Sequence, residues 1–320
     1  MKTLKRFAHV DAKSIDEAAA ILRSGKAALI SGGTDLLGTM RFEILPTYPE
    51  VLVNLKSIPG MDYIKEEGGM LKIGAATRLE DIAASKLIKA KYAALAEAAH
   101  RTATPHIREM GTLAGNICQL NRCWYFRSPD NRFNCIRKGG KTCYAMAGDN
   151  RYHSIFGAVK MCLAVNPSDT APALVALNAK IKTNKALIDA EKFWEMNVPS
   201  STILAADEIV TEIQIPAPAA GVKSAYIKFA IRKSIDFPIV NCAAMIGGGS
   251  ARICLNAVYN RPYRATAAED AIKGKAINEA NADAAGAAAV ATAKALPGDR
   301  NKWKIPIAKA MVKRAILGCA

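Results

Sequence analysis

The chain has 320 residues, 51% of them hydrophobic, and a formal net charge of +16. A packed globular protein of two or three domains is expected from this length and composition. No apolar run reaches the ~18–20 residues of a membrane-spanning helix. No apolar stretch follows the basic start Met1-Lys2-Thr3-Leu4-Lys5-Arg6, so no signal peptide is read and a cytoplasmic location is expected. Lys and Arg are spread over the whole chain without a dense block, which argues against a nucleic-acid tail and fits a solvated basic surface.

In chain order, Ser14 and Glu17 form a capping box, so a helix should follow, with Gly25 just past its end. Residues 27–30 read as a short buried strand. Ser31-Gly32-Gly33-Thr34-Asp35 comes next, then Leu36, Leu37 and Met40 at helical spacing. Strand, Gly-rich turn and helix in that order point backbone N–H groups at a phosphate. Neither the Rossmann nor the P-loop glycine pattern is present. Residues 51–55 read as a second strand, and Pro59-Gly60 marks a boundary. Residues 63–65 and 70–74 read as a hairpin. Thr77 and Glu80 form a second capping box that should open a helix, and a further helix over 86–99 is ended by Pro105. Residues 106–116 read by themselves as a tight loop. Their small residues let the backbone approach a flat ring or a pyrophosphate closely, with Thr112 and Asn116 able to hydrogen-bond.

Five of the eight cysteines, Cys118, Cys123, Cys135, Cys143 and Cys162, fall between positions 118 and 162. Even scatter would place about one there, and such clustering in a reducing compartment favours a metal or cluster site. A loop of this length without periodic pattern is unusual in a compact domain, and a metal centre is a reason for its order. Among Cys123, Cys135, Cys143 and Cys162 no C-x2–4-C pair suggests zinc. Four thiolates at loose spacing, Cys123, Cys135, Cys143 and Cys162, fit a 4Fe–4S cluster better. Trp124, Tyr125 and Phe126 can shield such a centre from solvent. The alternative is that several of these cysteines are merely buried small hydrophobes. Among the histidines, His106 and His153 lie near this stretch, and a structural role is expected of each.

Beyond it, residues 162–165 read as a strand, and Asp169 as the cap of a helix starting near Thr170. Residues 179–184 and 209–215 read as strands, and 216–221 as a linker. Three further strands are expected at 226–231, 239–246 and 252–259, then helices at 265–272, 279–295 and 307–317. Cys242, Cys254 and Cys319 are read as packing residues.

Several stretches together resemble one family. Ser31-Gly32-Gly33-Thr34-Asp35-Leu36 and Gly111-Thr112-Leu113-Ala114-Gly115-Asn116 resemble the two FAD-binding loops of the flavin subunit of molybdenum hydroxylases, the xanthine dehydrogenase family. Asn166-Pro167-Ser168-Asp169, Asp207-Glu208-Ile209-Val210, Tyr226-Ile227-Lys228-Phe229, Arg232-Lys233-Ser234-Ile235-Asp236-Phe237 and Asn301-Lys302-Trp303-Lys304 match in the same order. The resemblance implies an α+β chain: a PCMH-type FAD-binding fold of two α/β subdomains, then a C-terminal antiparallel sheet with helices. The units implied are 1–56, 57–217 with the cysteine-rich insertion at about 118–162, and 218–320.

It also implies a FAD site made of Leu29, Ile30, Ser31, Gly32, Gly33, Thr34, Asp35, Leu36, Thr104, Ile107, Gly111, Thr112, Gly115, Asn116, Ser168, Asp169 and Lys228. Ala114 stands where the family usually has Gly. The insertion resembles the β subunit of 4-hydroxybenzoyl-CoA reductase, the branch with an extra 4Fe–4S cluster. Cys123, Cys135 and Cys143 fall on that pattern, but Tyr152 stands at the fourth cysteine. Cys162 is expected to replace it, with Cys118 in reserve.

The implied role is electron transfer in a heterotrimer. Substrate chemistry would lie on a molybdopterin-binding large subunit reached through a 2Fe–2S small subunit, with no catalytic residue on this chain. The cluster would extend the path to an external carrier such as a ferredoxin. Two other readings are a stand-alone NAD(P)H flavin reductase, for which no dinucleotide fingerprint is seen, and a basic metal-binding module stacking nucleic acid on Trp124, Tyr125 and Phe126.

Overall fold

The structure, a computed structural model, describes residues 3–195, 200–233 and 235–320. Met1 and Lys2 of the basic start and Ser234 of the stretch 232–237 lie outside the described residues. Three sheets organise the chain. The first is parallel, in the order β1-β3-β2, from β1 (Ala8–Asp11), β2 (Ala27–Ile30) and β3 (Val51–Asn54). Helices α1 (Ile15–Leu22) and α2 (Leu36–Arg41) connect these strands. Ser14 caps α1 as expected, its Oγ accepting the Glu17 N–H at 3.1 Å, but the Glu17 carboxylate accepts from Lys13 N–H at 2.7 Å, one residue before the cap.

The second sheet is antiparallel, in the order β4-β5-β8-β6-β7. Its strands are β4 (Ile64–Glu67), β5 (Met70–Gly74), β6 (Lys180–Thr183), β7 (Leu187–Asp189) and β8 (Val210–Pro216). Between β5 and β6 run α3 (Leu79–Ala84), α4 (Lys86–Lys91), α5 (Ala93–His100), α6 (Pro105–Met110), α7 (Leu113–Cys118) and α8 (Thr170–Ala176). Helix α9 (Ala190–Phe193) follows β7. The third sheet, β12-β11-β10-β9, is also antiparallel and comprises β9 (Lys223–Phe229), β10 (Val240–Gly247), β11 (Ser250–Asn256) and β12 (Tyr263–Arg264).

Alternation along β10 and β11 decides what this third sheet packs against. Cys242, Ala244, Ile253 and Leu255 join a core with α10 (Thr266–Ile272), α11 (Glu279–Ala289) and α12 (Lys304–Leu317). Ala243, Cys254 and Tyr226 face the other way, into the core shared with α5 and α8. Small residues let α11 and α12 pack closely: a Cβ on Gly286 would stand 2.7 Å from the Lys309 carbonyl oxygen. Among the described residues, no helix is long and apolar enough to cross a membrane.

Several expectations are corrected. Thr77 does not cap α3. Its Oγ1 bonds Tyr63 N and O at 3.1 Å, and Glu80 receives Arg108 Nε at 2.6 Å. The helix expected over 86–99 breaks at Tyr92, which leaves helical geometry and is fully buried. Pro105 opens α6 rather than ending a helix, because its fixed φ and missing N–H suit a first turn, with Thr104 as cap. The 106–116 stretch is therefore two short helices, not a loop. Residues 162–165 form no strand; Cys162 makes only a bridge to Val159. Asp169 makes no cap bond, and Ser168 Oγ accepts the Ala171 N–H instead. The expected helix over 279–295 ends at Ala289. The short pieces β1, β7 and α9 carry no pattern that predicted them.

Candidate functional site

A cleft of about 480 Å³ opens where the 31–36 turn meets the α6–α7 segment. Leu29 through Leu36, Ile107, Gly111, Thr112, Gly115, Asn116 and Asp169 line it. The two turns cross at Gly32, where a Cβ would stand 2.4 Å from the Met110 carbonyl oxygen and 2.8 Å from Gly111 Cα. Only glycine permits that approach. Thr112 Oγ1 accepts the Gly115 N–H at 3.2 Å and fixes the start of α7. Asn116 is buried, and its Oδ1 accepts from Ser168 Oγ at 2.6 Å and Thr170 Oγ1 at 2.8 Å. Asn116 and Ser168 thus lock the second turn to the Asn166–Asp169 corner. Ser31 Oγ is buried without a partner in the cleft wall.

Asp169 and Lys228 form a buried ion pair at 2.8 Å. Tyr226 Oη donates to Asp169 at 2.6 Å, and Asn241 Nδ2 donates at 3.2 Å. Burial pushes the Asp169 carboxyl up; Lys228, Tyr226 and Asn241 pull it back. Asp169 reaches the cleft wall, whereas Lys228 stands behind it and also donates to the Arg101 carbonyl. Thr104 and Ser168 likewise serve the site from behind, Thr104 by capping α6.

Asp35 points away from a simple capping role. Leu120 N–H donates to its Oδ2 at 2.9 Å, and Arg122 and Arg127 pair with its Oδ1 at 3.0 and 2.8 Å. Burial pushes its pKa up, but the two guanidinium groups outweigh this and hold the carboxyl below its ordinary value. This knot ties the Gly-rich turn to the cysteine-rich insertion.

Inside the insertion, Cys123, Cys135, Cys143 and Cys162 line one small cavity, with Tyr125 and Phe126 in its wall. Cys118 is not among them; it lines the cleft. Tyr152 packs edge-on against Trp124 and Trp303. Among the described residues, no three His, Cys, Asp or Glu side chains stand in the geometry of a metal ion's ligands. Burial pushes the Cys123 thiol up to about 12, opposed by backbone N–H groups of Phe126 and Tyr125 at its sulfur. Arg137, 2% exposed, donates through Nε to Cys162 Sγ at 3.2 Å, and through its other nitrogens to Ser201 Oγ and Asn260 Oδ1. Lys138 is 6% exposed and its Nζ has no hydrogen-bond partner. Its ammonium stands 5.5 Å from the Phe126 ring centroid, and a buried cation held by a ring face alone is further stabilised by negative charge beside it.

Comparison with known proteins decides the family. Residues 5–218 match the FAD binding domain in molybdopterin dehydrogenase, and residues 225–319 match the CO dehydrogenase flavoprotein C-terminal domain. The chain belongs to the FAD-binding medium subunits of the molybdopterin dehydrogenases. It is 34% identical to the aldehyde oxidoreductase FAD-binding subunit PaoB of Escherichia coli, over 76% of this chain and 78% of that one. It is 28% identical to the carbon monoxide dehydrogenase medium chain of Hydrogenophaga pseudoflava, over 97% and 96%. A solved structure of carbon monoxide dehydrogenase from Hydrogenophaga pseudoflava superposes with a TM-score of 0.75 at 28% identity, covering 99% of this chain and 98% of that one.

This medium subunit is therefore an oxidoreductase subunit with a PCMH-type FAD-binding domain and a C-terminal flavoprotein domain, and it binds FAD. Sequence reasoning did not find the contacts of three side chains, Arg122 and Arg127 with Asp35 and His153 with Cys123. Arg122 and Arg127 were hidden because the insertion has no periodic pattern to say which way a side chain points. His153, 4% exposed, places Nε2 3.2 Å from Cys123 Sγ across 30 residues of chain. Only the cluster of cysteines beside it hinted at that neighbour.

Proposed function

We propose that this chain is the FAD- and 4Fe–4S-carrying electron-transfer subunit of a multi-subunit molybdenum hydroxylase or reductase. It works between partner chains that hold molybdopterin and 2Fe–2S and an external carrier such as a ferredoxin, and substrate chemistry takes place on a partner. One observation carries this reading: Arg122 lines the cleft and Cys123, its neighbour in the chain, lines the four-thiol cavity. The relatives support the partners, since one is named a medium chain and another an FAD-binding subunit.

The cleft fits FAD. Ser31, Gly32, Gly33 and Thr34 would hold the pyrophosphate, for which the unpartnered Ser31 Oγ is a ready donor. Leu29, Ile30, Leu36 and Ile107 supply apolar wall, and Thr112 and Gly115 complete the second turn. Asp169, oriented by Lys228, would bond the flavin or ribityl region. Bound FAD exchanges one or two electrons, so it can join two-electron chemistry to one-electron centres.

Cys123, Cys135, Cys143 and Cys162 line one cavity and would be the ligands of a 4Fe–4S cluster. Thiolates around a four-iron cube stand farther apart than ligands around one ion, so they need not converge on a point. The cluster and its thiolates together carry net negative charge, which would satisfy Lys138 and Arg137. On this reading the chain would belong to the branch that the 4-hydroxybenzoyl-CoA reductase β subunit exemplifies.

The test is an anaerobic absorbance spectrum of the purified chain, with iron, zinc and flavin quantified on the same sample. One FAD and about four irons per chain are expected. Flavin without iron would remove the cluster, and zinc without flavin would overturn the whole reading.

A further inference from the structure

Four buried polar side chains converge behind one wall of the cleft. Alternation along β9 puts Tyr226 and Lys228 on one face, and Asn241 of β10 stands opposite Lys228 on that face. All three donate to Asp169. Tyr226 Oη and Asn241 Nδ2 reach its Oδ1 at 2.6 and 3.2 Å, and Lys228 Nζ reaches its Oδ2 at 2.8 Å. Asn241 Nδ2 also donates to Tyr226 Oη at 3.0 Å, which leaves the hydroxyl proton for Asp169. Burial and the neighbouring carboxylate push the Tyr226 hydroxyl well above its ordinary pKa, so it stays protonated.

Of these four, Asp169 lines the cleft, and Tyr226, Lys228 and Asn241 do not. Whatever the three do in the cleft, they do through Asp169. An ionised carboxylate has roughly four acceptor positions. Three are filled from behind, and one remains for a donor in the cleft. Asn241 Oδ1 is buried without a partner, which is destabilising, while its nitrogen serves Asp169 and Tyr226. Lys228 already balances the charge of Asp169. The two further hydrogen bonds fix the carboxylate's orientation and draw its charge toward the sheet, away from the cleft.

We propose that Tyr226 and Asn241 are positioning residues for the flavin: acting through Asp169, they raise the potential at which bound FAD is reduced. The proposal rests on the reading above that Asp169 meets the flavin. Reduction brings negative charge to the ring, and negative charge beside the ring opposes it. A carboxylate whose charge is drawn away by two hydrogen bonds opposes it less. Without the Tyr226 hydroxyl, Lys228 still keeps Asp169 ionised, and more of its charge faces the cleft.

The experiment measures the flavin potential of the full chain, purified anaerobically with its FAD, by reduction against a reference dye, with flavin content assayed on the same samples. Tyr226→Phe removes one hydroxyl and keeps the ring. It should shift the equilibrium of bound flavin about tenfold toward the oxidised form, about 30 mV for a two-electron couple. Asn241→Leu should shift it the same way, and it carries the test alone if Tyr226→Phe does not hold flavin. Asp169→Asn, which removes the charge, should shift it toward the reduced form. Adding Tyr226→Phe to Asp169→Asn should change nothing more, because the residue acts through the carboxylate. A merely structural pair would lower the melting temperature or flavin content and leave the potential where it was. That result, a shift toward the reduced form in Tyr226→Phe, or an equal shift with and without the Asp169 carboxylate would overturn the proposal and leave Asp169 at the flavin. No shift from Asp169→Asn in a chain with full flavin would overturn that reading and the proposal with it.

Discussion

The flavin cleft and the cysteine-rich insertion share a wall but are held in different ways. The cleft sits on strand ends and helix starts: β2, α2, α6 and α7 meet there, and caps at Thr104 and Thr112 fix their first turns. The insertion has only two short 3₁₀ turns, Pro129–Asn131 and Ile136–Lys138, between α7 and α8. Side chains hold it instead. Arg127 Nε and Nη2 bond the carbonyls of Asn121 and Leu120 at 2.8 and 2.9 Å, and Asn260 Nδ2 bonds that of Cys162 at 2.8 Å. Lys304 Nζ reaches the carbonyls of Tyr152, His153 and Ala257. A cleft built from backbone ladders keeps its shape when empty. A loop pinned by side chains around a buried lysine without a hydrogen-bond partner depends on what it encloses.

The largest break in this contrast comes from the thiols. Cys162→Ser should reduce iron from about four per chain to near zero and expose residues 119–169 to protease. The flavin content should stay within about twofold of wild type. Cys118→Ser should keep its iron, because Cys118 lines the cleft and not the four-thiol cavity. Iron assay, flavin assay and limited proteolysis on the same preparations read all three. Equal iron loss in both variants would show that the four-thiol cavity is not the cluster site.

Gly32→Ala attacks the other side. Its Cβ would stand 2.4 Å from the Met110 carbonyl oxygen, so the two turns must separate. Flavin affinity should drop by about tenfold to a hundredfold, the range of an overpacking strain of about 1–3 kcal/mol, with iron retained. Fluorescence titration of the flavin-free chain measures it.

How far each region could be read in the sequence follows from the same contrast. Gly32, Thr112 and Gly115 are legible because glycine at a strand-to-helix turn and threonine before a helix have local meanings. The thiols are legible as a cluster, since five cysteines within 45 residues need a reason. What cannot be read is which thiol stands apart, because direction in an aperiodic loop is set by long-range contacts such as Arg137 to Asn260. Asp35 shows the limit. Its place in the Gly-rich turn suggests a cofactor contact, yet it holds Arg122, Arg127 and Leu120 of the insertion. Pro105 shows another limit, since proline both ends helices and begins them.

Asp35→Asn sharpens the boundary between the two regions. It leaves Arg122 and Arg127 without their shared carboxylate. Flavin affinity should weaken severalfold, roughly 1 kcal/mol for a partly exposed charged hydrogen-bonded pair, and loss of iron to a chelator should quicken in the same variant. If only one of the two properties moved, Asp35 would belong to that region alone and the two sites would be independent.

The smallest effect is on pH dependence, and it falls on the insertion side. Lys304 is 1% exposed, and burial holds its ammonium down to about 7, well below the ordinary 10.5. Below pH 7 the group is protonated in both folded and unfolded chains, and the folded state carries a desolvated charge. Between about pH 7 and pH 10.5 the unfolded chain binds more protons, so stability rises with pH across that window. Three carbonyl acceptors at 2.7–3.1 Å favour the ammonium and shrink the effect. A gain of about 1 kcal/mol, or roughly 2 °C in Tm, is expected between pH 7 and pH 9.5. Lys304→Met should flatten this rise, although it leaves three carbonyls unpaired and lowers the melting temperature at every pH. Because Lys304 grips Tyr152 and His153 at the exit of the insertion, the pH effect should appear in the protease sensitivity of residues 119–169 and not in flavin affinity. A pH-dependent flavin affinity that vanishes in Lys304→Met would show that the two regions share more than the Asp35 knot.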